Sequence, residues 1–151
     1  MAFQQYMTME WIKENIKDPI PLSDKRRVHE LMDILTHDGH SDPEKCGAIN
    51  AIGFMSIRYG SYFIVMCGVI PVIKKYLLSE SKSLALSSIM IIKYIAQSGG
   101  CEELIQNEID KILKSIIINI ESDYDLRNAA ATSYGWIIAD PPGEIKSYVI
   151  G

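Results

Sequence analysis

The sequence lacks a basic excess: 15 Lys and Arg stand against 19 Asp and Glu in 151 residues, a formal net charge of −4. That balance argues against a nucleic-acid binder, whose footprint is normally basic. Cysteine is sparse and odd in number, with Cys46, Cys67 and Cys101 only, so no disulfide framework is implied. No apolar run is long enough to span a bilayer, since the longest, Tyr62 to Ile73, is broken by Gly68 and Pro71. No basic-then-apolar leader opens the chain, whose first residues read instead as a charged, aromatic-bearing helix. The motifs GxGxxG, GxSxG and HExxH are missing, as is a phosphate-binding lysine loop. The expectation is a cytoplasmic or nuclear protein that is not an enzyme, with no catalytic residue, no cofactor, and neither nucleic acid nor membrane as partner.

What remains is an apolar chain, 48% by composition, long enough for one ordinary domain with a sizeable core. Helical spacing dominates it. Thr8 caps a first helix that Asp18-Pro19 ends, because a residue before proline is pushed out of the α region. Ser23 or Asp24 starts the next, on which Val28, Leu31, Met32 and Leu35 form one apolar stripe. Ser41, Pro43 and Glu44 have the spacing of a capping box with a first-turn proline, opening a helix that Gly60 stops. Two short helices follow, broken at Gly68 and Pro71. A nearly all-apolar helix then runs from Leu84 to Ala96. After Gly99-Gly100, Ile109, Ile112, Leu113, Ile116, Ile117 and Ile120 carry a further stripe, and a last long helix spans Asp123 to Ala139.

Self-comparison adds a period. The stripe Val28, Leu31, Leu35 recurs 42 residues on as Ile70, Ile73, Leu77, and 39 further as Ile109, Ile112, Ile116. The helix after each stripe ends at Ile57-Arg58, Ile95-Ala96 and Ile138-Ala139. An all-helical period near 40 is the mark of a stacked solenoid, in which each unit buries its apolar face only against its neighbours.

The run Cys67-Gly68-Val69-Ile70-Pro71-Val72-Ile73-Lys74-Lys75-Tyr76-Leu77-Leu78-Ser79 resembles the start of the second helix of an armadillo repeat. The segments Leu84 to Ala96 and Ala129 to Ala139 are similar to that family's long third helix. HEAT repeats, of similar period, are the competing assignment. The resemblance implies an all-α, short right-handed α-solenoid of about three repeats at 24–60, 61–98 and 99–140. Residues 1–23 would be a capping helix and 141–151 a partial repeat or cap. It implies a scaffold or adaptor that binds another protein or peptide along the concave face of its third helices.

Matching the helix ends puts Ile52, Met90 and Ser133 where import-type members carry a Trp, and Ser56, Tyr94 and Ile137 where they carry an Asn. None matches, so the peptide-backbone clamp is missing. The same matching adds Ile49, Met55, Ser87, Lys93, Ala130 and Trp136 to a mostly apolar face that suits a helix or an apolar surface. The candidate partner-binding residues are Met90, Lys93, Tyr94, Ser133 and Trp136. Aromatics at helical spacing are more often core, and about half of Met90, Tyr94, Tyr134 and Trp136 are expected to be buried.

The alternative function is a metal-dependent regulator or enzyme built on His37 and His40, near Asp42 and Cys46. Against it, Asp and Gly are ordinary turn residues there and no tight ligand spacing is present, so no metal site is assigned. Charge is uneven. Residues 61–100 carry four lysines against one glutamate, and residues 101–151 carry four basic against nine acidic groups, a bias that suits a partner with basic groups near that end. Ile145, Tyr148 and Val149 resemble the first helix of an unfinished repeat, which makes a homodimer or end-to-end stacking a further partner expectation.

Overall fold

The structure, a computed structural model, describes residues 20–139. The first helix, expected to be capped by Thr8 and ended by Asp18-Pro19, and the segment 141–151, with Ile145, Tyr148 and Val149, lie outside the described residues. Within them the chain forms eight helices and no strand: α1 Leu22–Thr36, α2 Asp42–Tyr59, α3 Ser61–Met66, α4 Val69–Tyr76, α5 Lys82–Gln97, α6 Cys101–Gln106, α7 Ile109–Ile118 and α8 Tyr124–Ile138.

Helices α2, α5 and α8 each open on a side-chain cap. The Ser41 hydroxyl accepts from Glu44 N, and the Glu44 carboxylate accepts from Ser41 N, the full reciprocal box ahead of α2. Ser81 accepts from Leu84 N before α5, and Asp123 from Asp125 N and Leu126 N before α8. Helix α1 differs from expectation: it begins at Leu22 behind Pro21, because Asp24 accepts the Tyr59 hydroxyl of α2 instead of capping its own helix.

The long helices α2, α5 and α8 pack side by side, with α5 in the middle. Behind them α1 packs on α2 and α4, α4 on α5, and α7 on α8. Two corners of left-handed backbone turn the short helices, Gly68 at φ 80° before α4 and Glu108 at φ 61° before α7. The middle position of α5 explains its composition, since Leu84, Ala85, Ser88, Ile89, Ile91, Ile92, Ile95 and Ala96 are all buried on its two flanks and its back.

One apolar core runs the length of the described chain, from Val28, Leu31 and Leu35 through Ile73, Leu77, Ile92 and Ile95 to Leu113 and Ile116. Four stripe residues fall outside it. Met32, Ile112 and Ile117 are only half-buried against it, and Ile120 is 82% exposed because α7 ends at Ile118.

Polar contacts tie one helix set to the next across 41 to 44 residues. Ser133 Oγ donates to Ile89 O (2.9 Å), and the Tyr76 hydroxyl donates to Leu35 O. Ser56 Oγ and Ser98 Oγ lie 2.8 Å apart. Because the single Ser98 hydroxyl proton goes to Tyr94 O (2.6 Å), Ser56 is the donor of that pair.

Candidate binding face

Away from the short helices, α2 and α5 present an open groove of about 350 Å³ lined by Asn50, Phe54, Leu86, Ser87, Met90 and Tyr94. No charged side chain lines it. Phe54 is 65% exposed and its ring stacks on that of Tyr94, centroids 6.4 Å apart and planes at 24°. Beneath Tyr94 the α2 backbone is Gly53, where a Cβ would stand 2.9 Å from Tyr94 Cδ2. Lys93 lays its ammonium over the same ring, 5.4 Å from the centroid.

Of the five expected partner-binding residues, the structure brings Met90 and Tyr94 together in the groove, with Lys93 at its border. Trp136, on α8, is 47% exposed. Ser133 is a correction: it is 1% exposed and its hydroxyl is spent on the α5 carbonyl of Ile89, so no partner reaches it. Ile49, Ile52, Ser56, Ala130 and Ile137 are buried as well, and none of Met90, Tyr94, Tyr134 and Trp136 is fully buried.

These corrections have one geometric cause. Aligning helix ends equates Ser56, Tyr94 and Ile137, whereas counting 13 residues from the caps Ser41, Ser81 and Asp123 equates Phe54, Tyr94 and Trp136. The end-based register is two residues off in α2 and one in α8. A helix turns about 100° per residue, so those slips rotate core positions onto the face. Phe54 was missed for this reason, and the signal that finds it is the N-cap.

At the cap edge of the face, Lys82 Nζ bridges Asp123 Oδ1 (3.2 Å) and Asp125 Oδ2 (2.9 Å). The bonds to Asp125 and Asp123 hold the Lys82 ammonium above its ordinary pKa. Partial desolvation pushes the Asp123 carboxyl up, but the Lys82 bond and the Leu126 and Asp125 amides outweigh it, so its pKa is lowered. A second, smaller groove of about 240 Å³ lies between α7 and α8, lined by Ile117, Tyr124, Arg127, Asn128 and Ala131.

The two histidines do not converge. His37 Nδ1 donates to Asp33 O (3.0 Å) at the end of α1, while His40 Nδ1 donates to the Glu44 carboxylate (3.0 Å) at the start of α2. That bond from His40, with those from Ser41, lowers the Glu44 pKa. Among the described residues no three His, Cys, Asp or Glu are grouped to hold a metal ion. Cys67 is half-buried and burial raises its thiol pKa, whereas Cys101 is buried with its Sγ 3.5 Å from Ala96 O and 3.7 Å from Trp136 O.

Helix content, helix order and the charge-free groove define the class: the described residues are an all-helical unit in which α2, α5 and α8 form one layer with an open face. Compared with protein-family models, with curated proteins and with solved structures, the chain matches none of them. Among the described residues no helix is long and apolar enough to cross a membrane.

Proposed function

We propose that this chain is a non-enzymatic protein-interaction module, a short armadillo-like solenoid that acts as scaffold or adaptor. The partner docks across the open face of α2, α5 and α8. The observation that carries this reading is the charge-free groove lined by an exposed Phe54 stacked on a half-buried Tyr94. Two further features support it. Long, capped helices recur at offsets of 40 and 42 residues, counted from Ser41 to Ser81 to Asp123. The polar ties between successive helix sets span similar distances in sequence, as expected when each unit is stabilised by its neighbours. Aromatic side chains set in an apolar groove are the usual anchors of a binding surface.

The test is affinity capture from the native cell with wild type beside a Tyr94→Ala/Trp136→Ala double variant whose fold is verified by circular dichroism. Loss of specific partners with the double variant is the expected result. Partners retained in unchanged amount would move the binding surface elsewhere.

A further inference from the structure

The long-helix face is polarised in charge. Every carboxylate on α2, α5 and α8 sits at the cap or in the first turn: Asp42 and Glu44, none on α5, then Asp123 and Asp125. Past that edge, from Lys45 to Tyr59, Leu84 to Gln97 and Leu126 to Ile138, there is no acidic residue in a chain of net charge −4. Two of the cations in those stretches border the aromatic row. Lys93 lies over the Tyr94 ring, and the exposed Arg58 is one helical turn beyond Phe54 on the same side of α2. Among the described ion pairs neither has a carboxylate partner, whereas Lys82 at the opposite edge has two. Arg58 instead stacks 5.3 Å above the Tyr59 ring, so both cations rest on aromatic rings that leave their charge available.

We infer that the occupant of this face is an acidic amphipathic segment, its apolar side chains seated in the Phe54–Tyr94 groove and its carboxylates over Arg58 and Lys93. The inference rests on the docking reading above and specifies the chemistry of the partner. An apolar floor provides attraction without sign, and the bordering cations select the sign. A basic segment in the same place would bring like charges against Arg58 and Lys93 with no carboxylate among the groove-lining residues to offset them.

A display library of random 16-residue peptides, selected on the immobilised full chain, tests this directly. Selected clones are re-measured on Tyr94→Ala, on Phe54→Ser and on Arg58→Gln/Lys93→Gln, each first shown to fold by circular dichroism. Phe54 is exposed, so its variant serves even where loss of the Tyr94 ring unfolds the chain. The expected clones depend on Phe54 or Tyr94, carry net negative charge beside apolar anchors, and weaken about fivefold on the double charge variant, less at high salt. Aromatic-dependent clones that are neutral or basic, or acidic clones indifferent to the charge variant, would overturn the inference and leave the docking face standing. Clones that ignore both aromatic variants would overturn the face as well.

Discussion

The α-carbon of Gly53 lies so close beneath the ring of Tyr94 that a methyl group there would meet Tyr94 Cδ2 at 2.9 Å and Ile91 Cγ1 at 3.5 Å. The contact sets how far the ring sinks between α2 and α5, and therefore the depth of the groove. Gly53→Ala gains about 1 kcal/mol of helix propensity and loses about 1–3 kcal/mol to overpacking. The expected outcome in urea denaturation is a net loss of about 1 kcal/mol, with a changed near-ultraviolet signal as the ring is displaced. A variant more stable than wild type would show that the ring moves aside freely.

Ser133 separates the packing role from the binding role. Its buried hydroxyl donates to Ile89 O, so Ser133→Ala removes one bond between α8 and α5. The stability cost should be about 1 kcal/mol. Partner capture should be unchanged, because the side chain is inside. Loss of capture with stability intact would return Ser133 to the surface.

The helices were legible because their ends are written in residues with a mechanism: Ser41 with Glu44, Gly60 and Asp123 each stand where the chain starts or stops a helix. The face was less legible. An apolar stripe fixes which side of a helix turns inward but not which residue stands opposite a neighbour, and the long helices are of unequal length. The end of α5 lies 16 residues past Ser81, and that of α2 lies 18 past Ser41. Register carried from the ends therefore drifts, and Phe54 stays hidden among core-like neighbours. The outward turn of Ile120 was also invisible, since its spacing continues the stripe past the point where Ile118 closes α7.

Truncating the α7 stripe and the central core tests that distinction. Ile92→Ala, at the middle of α5 and 1% exposed, should cost about 2–5 kcal/mol. Ile112→Ala, half-buried, should cost less than Ile92→Ala. Ile120→Ala should lie within about 0.5 kcal/mol of wild type, as surface changes do. Equal losses at Ile92 and Ile120 in chemical denaturation would place Ile120 in the core.

The Lys82 bridge predicts a pH window. The Asp123 pKa is lowered from 3.8 on folding, so its contribution is present above that value and disappears as pH falls through the lowered one. The Lys82 pKa is raised from 10.5, so its contribution is present below that value and disappears as pH rises through the raised one. The difference in melting temperature between wild type and Lys82→Met should be constant through neutral pH and shrink in acid below about pH 3.8. It should be small, because both ends are solvent-screened, and smaller still in high salt. A difference that grows on acidification would overturn the bridge.

The two left-handed corners make opposite predictions from the same backbone. Gly68 holds φ 80° with no heavy atom within 4 Å of where a Cβ would stand, so Gly68→Ala meets backbone strain alone. A left-handed residue other than glycine carries about 1–2 kcal/mol, partly offset by a less flexible unfolded chain, and the expected loss is about 1 kcal/mol. Glu108 already bears that strain at φ 61°, and its nearest ion-pair partner, Lys111 at 3.6 Å, is solvent-exposed. Glu108→Gly should therefore be neutral or stabilising by up to about 1 kcal/mol. Urea denaturation of the two variants together checks the corner geometry: destabilisation by Glu108→Gly as large as that by Gly68→Ala would mean that the α6–α7 corner depends on the glutamate side chain rather than on its backbone.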